Sequence, residues 1–189
     1  MATQDSRIKI KRSTVTATVP TVPSSNDHTD GTWIATDIYK GELFFNQADG
    51  VLWSRDDSGV VCLGGSASLT IASADVLTLN TTPLTIVPAV AGYAIEVVSA
   101  SRKLDFNTTP YATNTILQLI TSEATSFQAQ ARINSSVSNT LYMDKTTTTL
   151  VTSTQLIANA DLLVRVGTGD PTAGDSDITV FVHYRLIPV

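Results

Sequence analysis

GELFFNQADGVLWSRDDSGVVCLGG, residues Gly41 to Gly65, is three apolar runs separated by two turn signals. Leu43 to Asn46 reads as a strand, Val51 to Ser54 as a second and Val60 to Leu63 as a third. Gln47-Ala48-Asp49-Gly50 is a turn, because Asp-Gly supplies positive backbone φ without steric cost. Arg55-Asp56-Asp57-Ser58-Gly59 is the second turn, and Gly64-Gly65 is expected to close the unit. A β-meander of this kind sets the fold class, and the chain on either side agrees with it.

Toward the N-terminus, Arg7-Ile8-Lys9-Ile10-Lys11-Arg12 alternates basic and apolar residues. As a strand it places Ile8 and Ile10 on one face and Arg7, Lys9 and Lys11 on the other. Such a strand has no neighbour of its own and must pair with the meander or with another chain. Thr14 to Pro23 is extended, since Pro20 and Pro23 block helix. Ser24 to Thr32 is a polar loop, and Trp33 to Tyr39 leads into the meander.

Toward the C-terminus the pattern stays all-β. Short strands are expected at Leu69 to Ala72, Val76 to Leu79 and Leu84 to Val87, and a long one over Tyr93 to Phe106. Thr115 to Ile120, Phe127 to Ile133, Leu141 to Met143, Leu150-Val151, Gln155 to Ile157 and Leu162 to Val166 follow. Gly167 to Asp177 is a turn-rich loop, and Ile178 to Ile187 has the clearest alternation in the chain. A helical period forced onto Ser122 to Ala131 lacks a broad apolar face. Many short strands without a long helix point to an all-β fold: an extended arm (1–32), a β-meander collar (33–65) and a jelly-roll-like β-sandwich (66–189).

The chain has 189 residues, 42% of them hydrophobic and only 15% charged, so some surface is expected to be hidden by partner subunits. The net charge of −5 gives no case for nucleic-acid binding. No apolar run approaches the ~20 residues that span a bilayer, and Met1 to Lys11 lacks the apolar core of a signal peptide, so folding in a cytoplasm is expected. Trp33, Tyr39, Phe44, Phe45 and Trp53 crowd into the arm and meander. So small a unit is not expected to bury five rings alone, and they are assigned to a subunit interface.

Catalytic patterns are scarce. His28 and His183 are isolated, without metal-ligand or triad spacing. Cys62, within V-V-C-L, reads as a small buried hydrophobe. Asp170, Asp175 and Asp177 could offer oxygens to Ca²⁺ but lack the EF-hand spacing, and turn chemistry accounts for them. No enzyme activity, cofactor or metal is expected.

IKIKRS at 8–13, PTVP at 20–23, GELFFN at 41–46, ADGVLW at 48–53 and GVVCLGG at 59–65 together resemble the N-terminal module of tailed-bacteriophage fibre and appendage proteins. Trp53 stands where that module more often has Tyr, and the polar insertion from Ser24 to Asp30 is long for it. The resemblance covers the first third of the chain. It implies a non-enzymatic virion protein assembled in the host bacterial cytoplasm, a homotrimer whose arm, Arg7 to Arg12, docks on a major capsid protein or other virion partner. The short length, without a shaft, fits a head fibre or capsid decoration protein. The alternative is a tail-fibre tip that recognises host surface glycan through loops such as Gly167 to Asp177 and Ser135 to Asn139.

Overall fold

The computed structural model describes residues 10–25, 31–122, 127–145 and 156–189, with the backbone alone at 127 and 145. The chain is all-β and divides into two compact units, Met1–Gly64 and Gly65–Val189.

The first unit holds β1 (Lys11–Ser13), β2 (Leu43–Asn46), β3 (Val51–Arg55) and the opening of β4 (Val60–Ile71), side by side in that order. β1 runs parallel to β2, with Lys11 opposite Phe44 and Ser13 opposite Asn46. β2 and β3 form the hairpin that Asp49-Gly50 announces, and Gly50 takes the positive φ (65°) that its turn requires. At the next turn the Asp56 carboxylate accepts from the amides of Ser58 (2.7 Å) and Gly59 (3.1 Å). This is the Asx chemistry expected of such a loop. Arg7, Ile8 and Lys9 lie outside the described residues, and Ile10 is exposed ahead of β1.

Gly64-Gly65 does not end a strand. β4 runs on to Ile71, merging the runs expected at Val60 to Leu63 and Leu69 to Ala72. The reason lies far along the chain. Gly65 is in register with Tyr184, and a Cβ at Gly65 would stand 2.7 Å from the ring's Cζ. Here glycine makes room for a ring rather than breaking a strand. The run from Val76 to Leu79 is likewise not a strand: Ser73–Val76 is a helical turn, α1, and Val76 and Leu79 are buried.

The second unit continues with β5 (Leu84–Val87), β6 (Tyr93–Asp105), β7 (Ile116–Thr121), β8 (Phe127–Arg132), β9 (Asn139–Tyr142), β10 (Asp144–Lys145), β11 (Leu162–Val166) and β12 (Asp177–Pro188). One sheet runs β4-β12-β6-β9 and the other β10-β8-β7-β11-β5. The antiparallel partners nest: β4 with β12, β5 with β11, β6 with β9 and β7 with β8. A ribbon of nested pairs wrapped into two sheets is a jelly roll. The run expected at Leu150-Val151 and the start of that at Gln155 to Ile157 lie outside the described residues, and Leu156-Ile157 is not a strand.

Alternation builds the core. On β12, Ile178, Val180, Val182, Tyr184 and Leu186 are buried while Phe181, His183 and Arg185 face out. Leu117, Leu119, Leu162, Val164 and Val166 come from the second sheet. A polar side chain bridges the two sheets where a strand is missing. β9 pairs with β6 only over Ser101 to Leu104, which leaves the same edge of β6 open at Ile95 to Val97. Gln128 of β8 reaches across, donating to the Ile95 carbonyl (2.9 Å) and accepting from the Val97 amide (2.8 Å). A buried ladder group left unpaired costs about 1–3 kcal/mol, so this amide substitutes for a missing strand.

Candidate attachment site

β1 delivers Lys11 to the face of the first sheet that carries Phe44. Its ammonium donates to the Asp37 carbonyl (2.7 Å) and to Glu42 Oε2 (3.0 Å). It also sits 5.3 Å from the Trp33 ring centre and 5.4 Å from that of Tyr39. Cation–π contacts at such half-exposed positions contribute about 0.5–1 kcal/mol. Glu42 in turn accepts from the Tyr39 amide (2.7 Å). Asp37 is buried and accepts from Thr21 Oγ1 (2.6 Å) and the Ile34 amide (2.9 Å), which hold its carboxyl below the usual carboxylate range. Lys11 is thus taken up within its own chain, and of the described basic arm only Arg12 points its charge outward.

A second clasp is centred on Asn46, 1% exposed. Its amide donates to the carbonyls of Val15 (3.1 Å) and Thr18 (3.2 Å) and to Asp49 Oδ2 (2.5 Å). Its oxygen accepts from the Ala48 amide (3.0 Å). The same Asp49 oxygen accepts from the amide of Ala17, which adopts left-handed backbone (φ 59°). One asparagine therefore fixes both the arm and the β2–β3 turn. In the sequence it reads as the end of an apolar strand, although a polar residue at the buried parity of Phe44 is the available signal.

The five rings assigned to a subunit interface separate by parity. Phe44 and Trp53, paired across β2 and β3, are each 1% exposed in the single chain and cannot be offered to another. Tyr39 is half-buried. Trp33 (44% exposed) and Phe45 (36%) remain open, with Leu43 and Ile34. The register sets Arg12 beside Phe45, so the outer face of this sheet joins a basic group to apolar side chains.

Elsewhere the candidate chemistry resolves into structure. His28 lies outside the described residues, His183 is exposed on β12 and Cys62 is half-buried rather than fully so. The aspartates of the Gly167 to Asp177 loop bind their own chain. Asp170 accepts from the amides of Asn80 (2.7 Å) and Thr81 (3.2 Å), and Asp175 from those of Thr109 (2.8 Å) and Thr108 (3.1 Å) and from the Thr108 hydroxyl. Asp177 accepts from the Ser73 amide (2.9 Å). Among the described residues no group of three His, Cys, Asp or Glu is placed to hold a metal ion. Arg102 is the buried charge the sequence reading missed. It is 1% exposed, donates to the Arg132 carbonyl (2.8 Å) and to Asn139, and burial lowers its pKa.

No family model matches this chain, and no curated protein does. Among solved structures it aligns with the Cyanophage Pam1 capsid asymmetric unit, over 66% of this chain and 86% of that one, at 14% identity and a TM-score of 0.39.

The loop carboxylates carry a pH prediction. The Thr108 hydroxyl and the Thr109 and Thr108 amides lower the pKa of Asp175. At Asp170 burial pulls upward, but the bonds from Asn80 and Thr81 leave the pKa lowered. A depressed folded pKa contributes stability that is complete above the unfolded value of about 3.9 and is lost as pH falls through the folded one. The thermal midpoint of the second unit should therefore drop below about pH 4. Asp175→Asn should lower it at pH 7 and flatten its slope between pH 4 and 2, read by circular dichroism melts across that range. An unchanged acid slope in the variant contradicts the assignment.

Proposed function

We propose that this chain is a non-enzymatic structural protein of a bacteriophage virion, a homotrimeric head fibre or capsid decoration protein anchored through its first unit. The motif order from Ile8 to Gly65 supports the virion reading. The distribution of apolar surface carries the anchoring reading: eight of the fourteen large hydrophobic side chains exposed among the described residues fall in Met1–Gly64. Apolar surface concentrated on the smaller unit marks it as the part that meets a partner. The partner is a major capsid protein or another virion protein. Basic residues ahead of β1 steer the encounter, and an edge strand is added to the partner's sheet.

Residues 11 to 18 are committed to β2, Asp37 and Asn46. The docking function is therefore assigned to the residues before them. Deleting residues 1–10 should abolish incorporation into particles assembled in the host and leave a folded oligomer of unchanged mass by light scattering. Normal incorporation of the deletion variant overturns the reading. The second reading, a tip that recognises host glycan, is not favoured for the Gly167 to Asp177 loop, where Asp170 and Asp175 are turned onto the protein's own amides. A different surface favours it.

A further inference from the structure

The outer face of the sheet β4-β12-β6-β9 has an ordered composition. Register places Phe181 between Ser68 of β4 and Ser101 of β6, and His183 between Ser66 and Ser99. Cross-strand partners project from the same face, so two rings stand about 7 Å apart along β12, each flanked on both sides by a serine. Phe181 is 42% exposed, and Tyr142, 85% exposed, extends its row on β9 beyond Ser101. Between β4 and β12 the small serines leave a depression of about 270 Å³ whose walls are Phe181 and His183. None of the four serine hydroxyls has a hydrogen-bond partner among the described residues, although neighbouring Thr70 and Thr179 bond each other (3.1 Å).

We infer that this depression is a binding subsite for one pyranose unit of a neutral saccharide. The inference stands independently of the attachment proposal. A pyranose has an apolar C–H face and a rim of hydroxyls. The C–H face suits an exposed aromatic ring, whose face carries negative charge density. The rim suits serines, which donate and accept alike, and a histidine that does either. Charge selects against an ionic ligand. The nearest ionic side chains neutralise one another, Lys103 with Asp105 (2.8 Å) and Arg185 with Glu96. Size selects against a second copy of the chain. Four strands at ~4.8 Å spacing and five residues at ~3.4 Å rise give a plane of roughly 330 Å², well below the ~800 Å² per partner of a stable interface. Nor is the patch a continuous apolar core, because each ring is isolated by hydroxyls.

Saturation-transfer difference NMR on the full chain, with maltohexaose and chitotetraose as probes, tests the assignment. Transfer to pyranose C–H protons is expected, with Phe181→Ala weakening binding by about two- to tenfold, the range for one aromatic contact. Ser66→Ala combined with Ser68→Ala should weaken it further, while Val15→Ala should leave it unchanged. Phe181 is exposed, so its variant is expected to melt with the wild type, which separates lost binding from lost fold. Absence of transfer to both saccharides, or transfer unaffected by Phe181→Ala, overturns the inference. So does self-association of the wild type that Phe181→Glu abolishes, since that assigns the face to another copy. Particle incorporation is scored separately, so failure here leaves the anchoring proposal standing.

Discussion

Gly174→Ala is expected to cost the second unit about 2–5 kcal/mol, by a route no local inspection of the loop would suggest. Gly174 has φ of +128°, a backbone region closed to side chains. A Cβ there would overlap the edge of the Tyr111 ring, 2.6 Å from Cγ and nearer still to Cδ1 and Cε1. The ring has nowhere to go. Tyr111 is 3% exposed and donates its hydroxyl to the Ser176 carbonyl, and burial, with Asp177 close by, pushes the phenol well above its ordinary pKa. The loop is equally fixed: the Ala112 amide donates to Ala173 O (3.3 Å), Thr172 N to Ala112 O (3.1 Å) and Asp175 N to Thr109 O (3.2 Å). Overpacking contributes ~1–3 kcal/mol and the forced backbone ~1–2. Gly92→Ala is the control. It also has positive φ (79°) but faces open space, so only the backbone cost applies. Urea denaturation should separate the two variants clearly. Equal midpoints would mean that Tyr111 and Gly174 are not packed as described.

That clash joins residues 63 positions apart, and the same separation explains what could be read in the sequence and what could not. Strand positions were legible wherever alternation was clean: β5, β11 and β12 fall within a residue or two of where the pattern puts them. The glycine error has the same cause. At Gly64-Gly65 the pattern signals a break, yet the residue answers to Tyr184, which no local window contains. The nested pairing that makes the jelly roll is likewise a property of distant partners, and only the sandwich class followed from strand density. At the candidate site the failure was of another kind. Phe44 and Phe45 were assigned together to an interface, although adjacent strand residues point to opposite faces and could not both be offered to one partner. The same parity rule exposes Arg102. It sits between Ala100 and Leu104 on the buried face of β6, where its guanidinium needs the carbonyl of Arg132 and the side chain of Asn139. Lys11 shows the converse. Its regular alternation suggests an outward docking charge, and what holds it inward, Asp37 and Glu42 with two rings, lies 26 and 31 residues further along the chain for the two acids, where the alternation says nothing.

The division of the rings yields the second large effect. Trp53→Ala is expected to destabilise the first unit by about 3–5 kcal/mol, the range for a fully buried aromatic. Trp33→Ala should cost under about 1 kcal/mol, the value of its cation–π contact with Lys11. The two tryptophans would have been equivalent had all five rings belonged to a subunit interface. Trp53 stands opposite Phe44 in the β2–β3 hairpin, with Ile38 and Val51 also buried in this unit, and removing the ring leaves a cavity that a short hairpin held by Asn46 cannot close. Trp33 has 44% of its surface open. The readouts should therefore cross. Trp53→Ala should lower the melting transition of the first unit, followed by the fluorescence of the remaining Trp33. Trp33→Ala should leave that transition, followed by Trp53, nearly in place and instead reduce partner binding, scored as particle incorporation. A Trp53→Ala protein that melts with the wild type but loses the oligomer proposed above would return Trp53 to the interface and remove the structural basis for separating the inner from the outer face of this sheet. If Trp33→Ala is the variant that unfolds, the Lys11 clasp contributes far more than a half-exposed cation–π pair can, and the arm is part of the core of the unit rather than a strap across it.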